Sequence, residues 1–131
     1  MKRVAAYAGL SLVFVWFMFG GITHFTNPDF FVAIMPPYIP WHLAMVYISG
    51  VFEVLFAAML LPPKTRQLAG NLLIALTLAV TPANIHMYLH PELFSDVPAA
   101  FLSIRLVVQV ILLLIVWWST RERTWTKATA A

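Results

Sequence analysis

The sequence predicts an all-α protein: a four-helix transmembrane bundle with both termini on the cytoplasmic side. Three observations carry this expectation. Of the 131 residues, 62% are hydrophobic and only 10% charged, against roughly 25% charged in soluble domains. Four apolar runs, at about 4–25, 41–61, 67–89 and 99–119, each approach the roughly 20 residues needed to cross hydrocarbon. Finally, Lys2, Arg3, Lys64, Arg66, Arg121, Arg123 and Lys127 fall on one side of the four crossings, while the loops 26–40 and 90–98 hold neither Lys nor Arg. The excess of basic residues on one side assigns it to the cytoplasm. The loops are too short to build a second core, so residues 1–131 form a single membrane domain whose partner is the lipid bilayer. The formal charge of +3 sits at helix ends, which excludes a nucleic-acid surface. The absence of cysteine excludes disulfides, dithiol redox chemistry carried by this chain and covalently attached haem.

The first run follows Met1-Lys2-Arg3, as a secretory signal does. It is longer than the roughly 7–15 residues of such a signal's apolar region and lacks a small-x-small cleavage site, so an uncleaved first helix is expected. His24 ends this helix beneath the outer interface. Gly20 and Gly21, one turn earlier, leave room for a neighbouring helix or a ligand. In the first outer loop Asn27 is placed to cap a helix, with Pro28 at its first position and Asp29 complementing its dipole. Pro36-Pro37 stops it. The resulting apolar face of Phe30, Phe31, Ile34 and Met35 predicts a short interfacial helix over the mouth of the bundle, as an anchor or a lid. Tyr38, Trp41 and Tyr88 mark the outer interface, and Trp117 and Trp118 the inner one. Leu61-Pro62-Pro63-Lys64 reads as a tight turn, and the tail 120–131 as frayed.

Polar residues inside apolar runs carry the chemistry. Glu53 is an ionisable group in a membrane helix, which costs a few kcal/mol unless paired, protonated or hydrated. Counting the rise per residue from Trp41 puts it about 18 Å below the outer interface. Ser49, Gly50 and Ala57 on its face allow close helix approach. Arg105, about 11 Å deep on the parallel fourth helix by the same count, is the expected counter-charge. Gln109 lies one turn further on the same face and can hydrogen-bond to either group. On the third helix Thr77, Thr81, Asn84 and Tyr88 form a polar stripe interrupted by Pro82, which leaves the Leu78 carbonyl without its helical donor. His86 lies about 200° around a regular helix from Asn84, so the two share a pocket only if Pro82 distorts the turn. His24, His42, His86 and His90 all lie towards the outer side, with Asp29 and Glu92 in the same loops. No pair has the spacing of metal ligands, and no metal is expected.

The order Gly21-Ile22-Thr23-His24-Phe25, then Pro28 and Phe31, Ile34-Met35-Pro36-Pro37-Tyr38-Ile39-Pro40-Trp41-His42, Ser49-Gly50-Val51-Phe52-Glu53, Pro82-Ala83-Asn84-Ile85 and Arg105-Leu106-Val107-Val108-Gln109 resembles the DoxX family of small membrane proteins over about residues 20–110. Two positions depart from the family's pattern: Ala57 stands where a glycine is common and Val107 where a proline is expected, which bears on pocket shape. The resemblance implies a four-helix bundle in a bacterial inner membrane. It also implies a redox association, since members include a subunit of a thiosulfate:quinone oxidoreductase. It carries over His24, Glu53, Asn84, Arg105 and Gln109 as matched positions.

Three functions follow as expectations. In the first, the chain supplies a pocket for membrane quinone, with His24 and Glu53 handling protons and Asn84, Arg105, Gln109 and Thr81 binding the substrate; a redox partner subunit or a second copy completes the assembly. In the second, it binds or transports a small polar or anionic molecule anchored by Arg105. In the third, it is a structural subunit whose Glu53 and Arg105 specify packing, so that replacing both by apolar residues preserves function.

Overall fold

A computed structural model describes residues 2–94, 98–121 and 125. The chain is all-helical among these residues. Helix α1 spans Lys2–Thr26, α2 Pro28–Ile34, α3 His42–Ala58, α4 Pro63–Leu89 and α5 Ala99–Thr120, with a short 3₁₀ turn at Pro91–Phe94. Three helices, α1, α4 and α5, are long and apolar enough to cross a membrane; α3, at 17 residues, is a shorter apolar helix.

Prolines set the helix boundaries. Asn27 precedes Pro28 and leaves the α region, at φ −140° and ψ 61°, as the pyrrolidine ring demands of the residue before it. Its side chain makes no capping bond, contrary to the expectation that it caps α2; Pro28 and Asp29 do occupy the first turn. Met35, before Pro36, is extended and ends α2. Trp41 enters α3 from the left-handed region, at φ 51°, and its carbonyl accepts the Met45 N–H at 2.9 Å.

Helix α3 stops before position 61, where the apolar run ends, because Pro62 and Pro63 have no N–H to continue the ladder to Ala58 O and Met59 O. Leu60 N–H and Leu61 N–H close tighter bonds, to Ala57 O at 3.1 Å and Ala58 O at 3.2 Å. Thr65 Oγ1 donates to Met59 O at 2.7 Å, Arg66 Nε to Leu60 O at 2.9 Å and Arg66 Nη2 to Leu61 O at 3.0 Å. Side chains of α4 thereby satisfy the carbonyls of the turn that follows α3. Helix α4 starts earlier than position 67, with Pro63 in its first turn, and continues through Pro82. Trp125 folds back instead of fraying: its indole N–H donates to Ser119 O at 2.7 Å, and the Arg66 guanidinium lies over its ring at 4.5 Å. Arg123, Lys127 and most of the remaining tail lie outside the described residues.

The long helices form two antiparallel pairs. In the first, α1 lies against α3 through glycines on both partners. A Cβ at Gly21 would stand 2.7 Å from Val54 Cγ2, and one at Gly50 2.6 Å from His24 Cβ. In the second, α4 lies against α5, where a Cβ at Gly70 would collide with Thr120. The pairs meet near the N-terminal end of α1, around Val13, Phe17, Ala57, Leu60, Leu73 and Val116. At the opposite end α2 bridges them, with Ile34 packed on Met87 of α4 and Leu102 of α5. The outer surface is as apolar as the core: Val4, Phe19, Leu78, Val107 and Leu114 are all more than half exposed. That is the signature of a helical protein with hydrocarbon around it.

Overpacking a close seam costs about 1–3 kcal/mol. Gly21→Val and Gly50→Val should therefore each lower the thermal stability of the purified protein by several degrees. Gly→Val at either site with an unchanged melting temperature would contradict the α1–α3 seam described here.

Candidate functional site

A cavity of about 700 Å³ lies between the two helix pairs, beneath α2. His24 and Glu53 line one wall, and Asn84, Arg105 and Gln109 the other. Thus five of the six residues singled out from the sequence border one space. The sixth, Thr81, is hydrogen-bonded to Gln109 directly behind it.

The first wall is a product of the glycine seam. Gly50 allows the His24 ring to enter beside α3, and Gly20 and Gly21 leave room for Glu53. His24 is buried, and its Nδ1 lies 2.8 Å from Val46 O. A carbonyl has no hydrogen to give, so this contact assigns the hydrogen to Nδ1, with Ser49 Oγ accepting a second, longer share at 3.1 Å. Nε2 stands 3.2 Å from Glu53 Oε2. With Nδ1 committed as a donor, the facing atoms Nε2 and Oε2 share one proton. The pair is imidazolium with carboxylate or imidazole with carboxylic acid, and its net charge is zero in both forms. Phe31 of α2 covers the imidazole with ring centroids 4.0 Å apart.

The second wall is a directional chain of hydrogen bonds. Arg105 Nη2 donates to Asn84 Oδ1 at 2.9 Å, Asn84 Nδ2 to Gln109 Oε1 at 2.5 Å, and Gln109 Nε2 to Thr81 Oγ1 at 2.8 Å. Thr81 Oγ1 in turn donates to Thr77 O at 2.8 Å, and Thr77 Oγ1 to Leu73 O at 2.7 Å. Each group is donor to the next, an order in which every bond polarises its neighbour. Arg105 heads the chain, with its guanidinium 5.8 Å from the centre of the Phe30 ring. No acidic side chain among the described residues pairs with it.

This arrangement corrects the expected Glu53–Arg105 ion pair. Glu53 pairs with His24, and Arg105 with Asn84, because α1 abuts α3 and α4 abuts α5 while the cleft separates the two carriers of charge. Gln109 accordingly bonds to Asn84 and Thr81 and to neither ion. Tyr88, on the predicted stripe, is exposed and does not line the cavity. His86 stacks on His90, with centroids 4.6 Å apart, away from Asn84. His90 Nδ1 contacts Glu92 at 3.2 Å, and His42 Nε2 donates to Pro36 O at 3.2 Å. The backbone N–H of Glu92, then His90, hold the exposed Glu92 carboxyl below its usual range. Among the described residues no three His, Asp or Glu side chains converge as a metal centre would require. Sequence reasoning missed Ser49 as a partner of His24 and the aromatic contacts of Phe30 and Phe31. Their signals were a serine one turn before the buried glutamate and two adjacent aromatic residues in a loop.

The chain belongs to the family described as Domain of unknown function (DUF8561), whose model matches residues 12–120. That span contains every residue of both walls. No curated protein and no solved structure matches the chain.

Two substitutions separate the walls from the fold. A Cβ at Gly20 would meet only the end of the Glu53 side chain, with Oε1 2.5 Å away. Gly20→Ala should leave the melting temperature near that of the native chain while displacing the carboxylate from His24, a change readable as an altered His24 imidazole resonance. Asn84→Ala leaves Arg105 Nη2 without its acceptor and Gln109 Oε1 without its donor, while the Gln109–Thr81 bond remains. An unsatisfied buried group costs about 1–3 kcal/mol, so this variant should be clearly destabilised in a denaturation series, and an unshifted midpoint would refute the chain of bonds.

Proposed function

We propose that this family member spans a bacterial inner membrane four times as a helical bundle, binds quinone or quinol in its cleft, and exchanges protons with the head group through His24 and Glu53. The observation that carries this reading is that a wall formed by the His24–Glu53 pair faces a wall of donors headed by Arg105 across one largely apolar cavity. A quinone head needs both. One oxygen gains or loses a proton at Glu53 or His24. The other accepts hydrogen bonds from Arg105, which has five N–H groups and gives one to Asn84. Oxidation of a quinol releases two electrons and two protons. The protons leave through the pair, and the two electrons pass to a redox centre of the flavin, haem or iron–sulfur class held by a partner subunit.

The membrane reading draws on the lengths of α1, α4 and α5. Helix α3 extends about 26 Å at 1.5 Å per residue, and the turn at Met59–Leu61 brings its apolar stretch close to the roughly 30 Å of hydrocarbon. Lys2, Arg3, Lys64, Arg66 and Arg121 all sit at the same ends of the antiparallel helices, which supports a cytoplasmic assignment for that side. The DoxX resemblance, through that family's redox members, is the ground for the redox association, and its five matched positions border the same cavity. A second reading, binding or transport of a small anion, is favoured by the guanidinium of Arg105, which lacks an acidic partner among the described residues.

Purification in mild detergent followed by extraction should yield quinone in stoichiometric amount. Glu53→Gln keeps a hydrogen-bonding group beside His24 but removes the shared proton, so it should abolish quinol-dependent turnover while the helical circular dichroism persists. Extraction of a small anion in place of quinone would decide for the second reading. As the chain has no cysteine, Lys64→Cys should react with an impermeant maleimide only from the cytoplasmic side, and Glu92→Cys only from outside. Labelling of both from one side would reject the four-crossing topology.

A further inference from the structure

The two mouths of the cleft differ. The ends of α1 and α5 nearest the N-terminus of α1 are sealed: a Cβ at Gly9 would lie 2.8 Å from the Trp118 ring, and Val13 and Val116 are fully buried. Towards the other end, α1 turns its glycines to α3 while α5 turns Arg105 and Gln109 to α4, so α1 and α5 no longer have groups to offer each other. There Leu12, Val15, Trp16 and Phe19 of α1 and Phe101 and Ile104 of α5 border the cavity. Yet they remain between 47% and 70% exposed. On the opposite side, between α3 and α4, the large exposed apolar residues bordering the cavity are Met45 and Val80. Above both, α2 is pinned by Ile34 between Met87 and Leu102. The cleft therefore opens sideways, most extensively between α1 and α5.

We propose that the molecule bound in the cleft is a head group bearing an apolar chain, and that the chain leaves between α1 and α5 into the surrounding lipid. The proposal rests on the reading above only for the chemistry of the head. Ile104 and Arg105 are consecutive on α5, about 100° apart around the helix. The rim of the mouth and the head-group anchor are thus neighbouring positions on one turn. A tailed molecule seated this way keeps its head on Arg105 or on the His24–Glu53 pair and its chain on Phe19, Trp16 and Ile104, and no apolar carbon meets water. A polar solute without a chain would have to cross the same apolar rim with nothing to gain from it. The substrate class is accordingly lipid-soluble, and chain-bearing residues of the site determine its specificity as much as the polar walls do.

The test uses the full chain in liposomes with a quinone carrying a photoreactive diazirine on its tail, and a tail-less quinone as competitor. Cross-links in peptides covering residues 12–19 and 101–108, displaced by the tail-less quinone, are the expected result. Cross-links at those peptides that the tail-less quinone does not displace would uphold the chain-binding mouth and reject the quinone head. Cross-links at Met45 and Val80, an even distribution over the surface, or none, would overturn the proposal. Ile104→Trp and, separately, Phe19→Trp fill the mouth and should each reduce cross-linking roughly tenfold, equivalent to excluding about two methylenes from the site. Leu114→Trp, on the exposed surface of α5 away from the cavity, should leave it unchanged. Equal cross-linking in all three variants would also overturn the proposal.

Discussion

The polar interior depends on the close approach of α1 and α3. Apolar side chains gain little by exchanging lipid for protein, so helices in a membrane associate through tight packing and interhelical hydrogen bonds. Gly21 on one helix and Gly50 on the other bring the backbones together, and that approach sets His24 at 3.2 Å from Glu53. The dependence runs both ways. A carboxylate on an apolar helix is costly to bury unless it finds a partner, and an imidazole held by Val46 O and Ser49 supplies one. The glycine seam and the proton-sharing pair therefore hold each other in place.

The second helix pair solves the same problem by another route. Arg105, half-buried among apolar neighbours, is bound through Asn84, Gln109 and Thr81 to backbone carbonyls of α4. Its charge is dispersed along a chain of neutral dipoles without an acid beside it. The two pairs share a core at one end and stand apart at the other, so the cleft has a wall that can give or take a proton and a wall of constant charge. Helix α2 reads both: Phe31 lies on His24, and the adjacent Phe30 lies under Arg105.

The apolar helices, and the polar residues that border the cavity, were legible in the sequence for a simple reason. A polar side chain within an apolar run has an evident cost, which made Glu53, Arg105, Asn84 and Gln109 conspicuous, and the two glycines drew attention to His24. Their pairing was not legible. Depth along a helix and opposite sign favoured Glu53 with Arg105, but which ion pairs with which depends on which helices touch, and that is decided by where small residues let backbones approach. The apolar run 41–61 likewise overstated α3, since hydropathy does not register that Pro62 and Pro63 lack the N–H groups that would carry the helix through Met59–Leu61. Asn27 has the composition of a cap without its geometry because the following proline fixes its backbone first.

The charge balance of the cleft suits proton exchange with a bound head group. With one proton shared between Nε2 and Oε2 the His24–Glu53 pair is neutral, and Arg105 carries a permanent charge in the described lining. If a head-group hydroxyl gives its proton to the pair, the pair becomes imidazolium with carboxylic acid and gains one positive charge, while the head gains one negative charge beside Arg105. Both new charges arise next to groups already oriented to receive them, and fixed dipoles and charges stabilise developing charge most when no reorganisation is needed. Had Glu53 and Arg105 formed the buried ion pair that their signs suggest, each would have consumed the other, and neither the proton acceptor nor the anion site would remain for a ligand. Separation of the two by the cleft, enforced by helix pairing, is what leaves this interior chemically competent.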